Sequence, residues 1–266
     1  MPIVSIIIPN YNLGQYLGET LRSVQEQTFQ DWECLIIDNG SRDNSLEVVS
    51  DYCAKDPRFV SEVIKENIGV AAARNRGLDL TKGKYILFLD ADDLIEPEYM
   101  AQAVSALDKD PSLNIVYGKA ERFGAKTTWN LPAFSMDTML ASNCLYISCF
   151  FRREQAVSFD SSFKVGYEDW DYWLSLLERI ENPRVLQLPS LCFRYRTRRK
   201  SRNTGVTDEA LKGIRKQLWE KHKGLYSKYF CDPLETVEFK RMERAFRKAS
   251  RWSLAWRLRL LFRKFF

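Results

Sequence analysis

The chain has 266 residues, 45% of them apolar, enough to bury the core of one large domain or of a domain with an appendage. A lone histidine, His222, argues against a histidine-based metal centre and a Ser–His nucleophile, and six cysteines without a Cys-x-x-Cys pair read as reduced core thiols of a cytoplasmic protein. The net charge of +5 conceals a division: residues 1–193 carry 18 Lys and Arg against 28 Asp and Glu, net −10, whereas residues 194–266 carry 22 against 7, net +15. The acidic part suits a soluble catalytic body, and the basic part suits an anionic partner such as phosphate, nucleic acid or lipid headgroups.

No basic region precedes the apolar run Ile3–Ile8, which stops at Pro9-Asn10, so no signal peptide is expected. Val4–Pro9 reads as a buried strand, and Tyr16–Gln27 as a helix with Leu17, Leu21 and Val24 on one face. Trp32–Asp38 is a second strand ending in Asn39-Gly40-Ser41, after which Asp43 or Asn44 can cap a helix reaching about Ala54. Phe59–Lys65 is a third strand and Val70–Leu80 a short helix closed by Thr81-Lys82-Gly83. Tyr85–Asp90 is a fourth strand, and Pro97–Lys109 is again helical. This alternation predicts a parallel sheet flanked by helices.

The alternation stops near residue 111. Ile115–Lys119 and Tyr146–Phe151 look like strands with a weakly patterned loop between them. Thr138–Phe151 is an uncharged stretch, and its 14 residues fall short of the ~18–20 apolar residues needed to span a bilayer. Trp170–Ile180 reads as a helix, Val185–Leu188 and Leu191–Tyr195 as two short strands, and the pattern is helical and basic from about Thr207.

Three strand ends are polar: Pro9-Asn10-Tyr11-Asn12, Asp38-Asn39-Gly40-Ser41 and Asp90-Ala91-Asp92. In a parallel sheet these ends share one edge, where ligands collect. An apolar run that ends in Asp90-Ala91-Asp92-Asp93 puts hard oxygen ligands where a divalent cation and a phosphate can meet. The alternative is a solvated loop with Asp93 capping the helix after Pro97. Neither a G-x-G-x-x-G nor a G-x-x-x-x-G-K-[ST] motif occurs, which argues against dinucleotide binding and P-loop chemistry.

Four segments in order, Val4–Asn12, Ile37–Ser45, Asn67–Gly77 and Phe88–Asp93, together with the acidic Tyr167-Glu168-Asp169-Trp170-Asp171-Tyr172-Trp173-Leu174, resemble the family 2 glycosyltransferases of the GT-A fold. The resemblance covers residues 3–175. It implies an α/β, Rossmann-like, mostly parallel sheet with a C-terminal helical extension. The expected division is a catalytic domain over 1–205, split into a nucleotide-binding half (1–110) and an acceptor half (111–205), and a basic helical extension over 206–266.

The resemblance further implies that Pro9, Tyr11, Asn12, Asp38, Asn67, Arg74, Asp90 and Ala91 hold the nucleotide, with Asp38 at the base and Asp90 near the ribose. Asp92 would ligate Mg²⁺ or Mn²⁺ bridging the diphosphate, and Asp169 would be the general base of an inverting transfer. Many members carry a second acid where this chain has Asn39, which leaves the nucleotide open. Two pairs of residues have plainer readings: Arg74 and Asn75 as an exposed helix face, and Glu168-Asp169 as acids suited to a helix N-terminus.

The segment Arg194–Arg202 holds six cations in nine residues. Arg196, Arg198, Arg199 and Lys200 are expected to bind the diphosphate from a loop that orders with the donor; the alternative is a solvated basic loop. The expected reaction is metal-dependent, inverting transfer from a nucleotide-diphosphate sugar to a saccharide or lipid-linked acceptor in surface polysaccharide or glycolipid synthesis. A sugar-nucleotide-forming nucleotidyltransferase would open with a Gly-rich, Arg-containing loop after the first strand, which is missing here. A catalytically inactive nucleotide-binding or membrane-docked scaffold is the remaining alternative, against which stand Asp38, Asp90, Asp92 and Asp169. The acidic body offers no groove for nucleic acid. Segment 112–165 carries no readable specificity code; Trp129, Phe134 and Met136 either stack on an acceptor or fill the core.

Near the C-terminus Phe239, Met242, Phe246, Ala249, Trp252, Trp256 and Leu260 recur at steps of three or four among many Lys and Arg. A basic amphipathic helix with tryptophans suits the surface of an anionic membrane, which places the protein peripherally on the cytoplasmic inner face; packing back onto the body is the alternative. Flotation with anionic liposomes is expected to depend on residues 239–266 and to fall at high salt. Equal flotation after removal of that segment defeats the expectation.

Overall fold

The computed structural model describes residues 1–124, 131–163, 166–198 and 207–229. Its first half alternates as the sequence predicts: β1 (Val4–Asn10), α1 (Gly14–Gln25), β2 (Trp32–Asn39), α2 (Ser45–Lys55), β3 (Phe59–Ile64), α3 (Val70–Leu80) and β4 (Tyr85–Phe88). An unbroken apolar run is stable only where both sheet faces are covered. Every residue of β1 and β4 is buried accordingly. β2 shows the two faces: Cys34 and Ile36 join the main core with Val49 of α2, while Leu35 and Ile37 pack in a separate cluster with Ala73 of α3.

The second half runs β5 (Leu94–Ile95), α4 (Tyr99–Lys109), β6 (Ile115–Gly124), α5 (Met136–Ala141), β7 (Phe150–Arg152), α6 (Glu168–Glu178), β8 (Val185–Thr197), α7 (Asp208–Lys221) and α8 (Lys223–Tyr229). All the strands form one sheet in the order β3-β2-β1-β4-β7-β6-β8-β5. The pairs β1–β2, β1–β4, β2–β3 and β6–β8 are parallel, and β7 runs antiparallel to both β4 and β6. The architecture is the α/β sheet flanked by helices that the sequence implies.

Several boundaries differ from the sequence reading, each for a local reason. The fourth strand ends at Phe88, and Asp90–Asp93 forms a turn in which the Asp93 N–H donates to the Asp90 carbonyl. Asp93 does not cap a helix: α4 starts at Tyr99 with Glu98 before it, and the Asp93 carboxylate accepts from the Arg196 N–H instead. The two strands expected around Pro189 are one strand, β8, whose register against β6 shifts between Tyr117 and Lys119. A bulge accommodates the proline, which cannot donate to the ladder. Of the expected strand over 146–151 only Phe150 and Phe151 are paired, in β7, which runs on to Arg152. Tyr146 is anchored through its hydroxyl, which donates to the Gly118 carbonyl. α5 had no periodic signal in the sequence and is started by Ser135, whose hydroxyl accepts from the Thr138 N–H.

Ile214, Leu218, Leu225 and Tyr226 of α7 and α8 belong to the main core, and the Tyr226 hydroxyl donates to the Leu140 carbonyl. Phe134 and Met136 pack half-buried against the same core. Trp129 and the apolar stripe over 239–266 lie outside the described residues. Among the described residues no helix is long and apolar enough to cross a membrane.

α3 approaches β1 closely at Gly77, where a Cβ would stand 2.3 Å from Ile7 Cγ2. Both sides of this contact are fully packed, so Gly77→Ala is expected to cost about 1–3 kcal/mol through overpacking. Thermal unfolding checks this: a melting temperature unchanged from that of the parent would show that α3 can slide away from the sheet.

Candidate active site

Side-chain bonds between the loops tie the polar strand ends together. Asn10 Nδ2 donates to Asp38 Oδ1 at 2.9 Å and to Ser41 Oγ at 3.2 Å. Asp38 Oδ2 accepts from the Ser41 N–H, and Asn12 Oδ1 accepts from the Arg42 N–H. Asp43 serves two helices at once, accepting from the Gly14 N–H that opens α1 and the Ser45 N–H that opens α2. Burial alone would raise the Asp43 carboxyl, but these bonds outweigh it and lower its pKa. Asn39 reaches the next loop, donating to Asn67 Oδ1 and accepting from the Ile68 N–H. The loop Gly69 turns with φ +88°, a conformation that favours glycine.

These ends floor a cleft of about 750 Å³. Pro9, Tyr11, Asn12, Asn67, Asp90, Ala91 and Asp92 line it, with Arg196 and Arg198 entering from β8 and the residue after it. The structure therefore brings together most of the residues that the sequence singled out. Asp38 lies fully buried behind the wall, and Asn10 and Asn39, themselves largely buried, line the cleft in its place. Arg199 and Lys200 lie outside the described residues.

The acids at the end of β4 repel one another out of water. Burial, then the charge of Asp90, pushes the Asp92 carboxyl up to about 6, against the pull of Arg198 and Arg196. Burial, then Asp92 and Asp90, raises Asp93 well above the usual carboxylate range. Arg198 Nε lies 2.8 Å from Asp92 Oδ2. Arg196 donates to the Asp92 carbonyl and to Glu19, with its guanidinium 4.8 Å from the Tyr16 ring and 4.4 Å from the Phe123 ring.

This arrangement suits a divalent cation. The oxygen donors are hard, and a cation would relieve the repulsion that raises Asp92. Among the described residues no three His, Cys, Asp or Glu side chains are grouped to hold a metal alone. Phosphate oxygens and water would complete the shell, as is usual for Mg²⁺.

A second cavity, of about 250 Å³, shares Asp90 and Tyr195 with the cleft. Asp169 lines it half-buried from the first turn of α6, where acids are favoured by the helix dipole. Asn143 Nδ2 donates to Asp169 Oδ2 at 3.1 Å. Gly166 and Tyr167, with φ of +105° and +65°, turn the chain sharply into the helix. A tyrosine held left-handed at such a point is the kind of local strain found at functional sites. Asn143 and Arg122 line this cavity but lie in the irregular segment, where no pattern in the sequence marks them.

Arg74 also faces this second cavity rather than the cleft, and it is not on an exposed helix face: it is 1% exposed. Its guanidinium donates to Glu168 Oε1 at 2.9 Å and to Asp90 Oδ1 at 2.6 Å. Burial would lower its pKa, but the charges of Asp90 and Glu168 outweigh burial and raise it. Replacing Arg74 by Met removes the cation that both carboxylates face. A loss of about 3–5 kcal/mol is expected, the range for breaking a buried pair, with partial recovery when Glu168→Gln is added. Additive effects in this double-mutant cycle, read by urea unfolding, would show that the pair is not coupled.

The model of glycosyl transferase family 2 matches residues 5–222. An uncharacterized glycosyltransferase of Haemophilus influenzae is 29% identical over 68% of this chain and 74% of its own length. The chondroitin synthase of Escherichia coli is 32% identical over 67% of this chain, a match that spans only 27% of that longer protein. The crystal structure of S. aureus TarS residues 1–349 with UDP-GlcNAc superposes with a TM-score of 0.69 at 17% identity, covering 90% of this chain and 78% of that one, and shares its fold. With a family match running from the first strand to the end of α7, the chain belongs to glycosyl transferase family 2.

Proposed function

We propose that this glycosyltransferase moves a sugar from a nucleoside-diphosphate sugar to an acceptor hydroxyl, with inversion and with Mg²⁺ or Mn²⁺. The observation that carries the reading is the junction of the two cavities at Asp90 and Tyr195, with Asp92 on one side and Asp169 on the other. The cleft takes the donor, and the smaller cavity takes the acceptor. The acceptor oxygen attacks the anomeric carbon and forms the new glycosidic bond. The bond from that carbon to the diphosphate oxygen breaks, and the nucleoside diphosphate leaves with the electron pair. Asp169 takes the proton of the acceptor hydroxyl. A cation held at Asp92 would supply electrostatic stabilisation of the leaving diphosphate.

In this reading Arg198 neutralises Asp92 before the donor arrives and turns to a phosphate afterwards, while Arg196 stays seated on Glu19 and the aromatic rings. Asn143 orients Asp169. Pro9, Tyr11, Asn12 and Asn67 form the nucleoside end of the cleft, and Asp38 acts on it through Asn10. The name of the chondroitin synthase relative supports a role in polysaccharide synthesis; the same proposal takes the acceptor to be a saccharide or lipid-linked one and the protein to dock peripherally at the inner membrane face.

Asp169→Asn is nearly isosteric and cannot take a proton at neutral pH. Turnover with a panel of sugar nucleotides is expected to fall by roughly 10²–10⁴-fold while nucleotide binding survives. Asp92→Ala is expected to abolish the dependence of nucleotide binding on Mn²⁺, with little loss of fold. Near-normal turnover of the Asn variant would move the base elsewhere, and undiminished wild-type activity in chelator would remove the cation from the mechanism.

A further inference from the structure

Behind α6 lies a buried charged cluster that the transfer step does not use. Asp171, on the same helix as Asp169, is fully buried and accepts from Lys221 Nζ at 2.8 Å, with His222 Nε2 3.0 Å away. The other ring nitrogen of His222 lies 2.8 Å from Glu178 Oε2. An imidazole with a carboxylate at each nitrogen bonds both only when both nitrogens carry hydrogen. His222 and Asp171 thus join the end of α7 to α6.

Lys221 reaches further. Its Nζ also lies 2.9 Å from Asp160 Oδ2 and 5.6 Å from the centroid of the Phe163 ring. Gln217, one turn earlier on α7, donates to Ser162 Oγ at 2.8 Å. Asp160 closes its own turn by accepting from the Ser162 N–H. Burial would raise the Asp160 carboxyl, but the bonds from Lys221 and Ser162 bring it down to about 2. Ser161 and Phe163 line the large cleft. The start of this segment is clamped by Asn75, whose side chain both donates to the Phe159 carbonyl and accepts from the Phe159 N–H. One wall of the cleft is therefore held at one end by α3 and from behind by α7.

We propose that Lys221 is a positioning residue for the donor: it bridges Asp160 and Asp171, and so holds the 160–163 segment against α6 as a wall of the cleft. The proposal rests on reading that cleft as the donor site. Two contacts of one ammonium carry two separable effects. The contact to Asp171, shared with His222, docks α7. The contact to Asp160 shapes the cleft. A purely structural lysine would change stability through both and donor binding through neither.

The test compares Lys221→Met, Lys221→Arg, Asp160→Asn and His222→Gln in the full chain. Four readouts are taken: affinity for UDP and for GDP with Mn²⁺, donor KM against kcat, amide hydrogen exchange over 159–163, and melting temperature. For Lys221→Met and Asp160→Asn, donor KM is expected to rise roughly tenfold with kcat within about twofold, the pattern of lost ground-state binding. Exchange over 159–163 should quicken in both. Lys221→Arg should restore most of the affinity. His222→Gln should lower the melting temperature and leave KM unchanged. Unchanged KM and unchanged exchange in folded Lys221→Met and Asp160→Asn would overturn the positioning role. Absence of any nucleoside diphosphate binding by the wild-type protein would instead overturn the donor-site reading.

Discussion

Burying a guanidinium imposes a constraint that the rest of the site obeys. Arg74 sits where water is excluded, and a charge there is tolerated only when its donors meet carboxylates. Asp90 comes from the end of β4, Glu168 from the start of α6, and Arg74 itself from α3. α3 and β4 are consecutive in the chain, whereas Glu168 is 94 residues from Arg74, and the two contacts fix all three elements to one another. The Phe159 ring lies 5.3 Å from the guanidinium carbon and stacks on Tyr172 at a centroid distance of 4.1 Å, so the aromatic core packs around the same point. The consequence for chemistry is geometric. Asp90 faces the cleft, the residue after Glu168 is Asp169, and one side chain sets the relation between them.

The electrostatics of the cleft follow from how the acids are partnered. Asp90 has Arg74, and its carboxylate remains partly exposed. Asp92 and Asp93 are more deeply buried, and their arginines approach from β8 rather than from the same end of the sheet. The partner of Asp90 is internal, Arg74 being 1% exposed. Arg198, by contrast, follows the end of β8 and meets Asp92 from the cleft side, Nε to Oδ2 at 2.8 Å.

The fold of the first 110 residues was legible because burial on both sheet faces leaves continuous apolar runs, and because polar residues mark each strand end. The candidate site was legible in the same places, from Pro9 to Asp92. Arg74 was visible as a residue but not as a buried one, since its helix pattern of small residues gives no clear inner face. Asp38 was visible as a strand-end acid, yet its consumption by Asn10 and Ser41 depends on how two loops meet. Beyond residue 111, β7 is three residues long, β8 is interrupted at Pro189, and α5 is six residues long. Elements of that length carry too few periods to read. Asn143 lies in that region, and its meeting with Asp169 is a purely tertiary fact.

The division of charge between an acidic body and a basic C-terminal part looks in the sequence like a surface prepared for another molecule. In the structure much of the described basic part is directed inward. Arg194 contacts Glu96 at 2.6 Å, Arg196 contacts Glu19, Arg198 contacts Asp92, and Lys221 contacts Asp160 and Asp171. The body and its C-terminal segment are complementary to each other, which explains how a chain with a net −10 over residues 1–193 can bring so many carboxylates together. Removing like-charge repulsion this way stabilises the compact state. It also places cations beside the cleft, where a diphosphate can compete for them. The exposed pairs among these contribute little stability. Their arrangement matters more for the cations it sets beside the cleft.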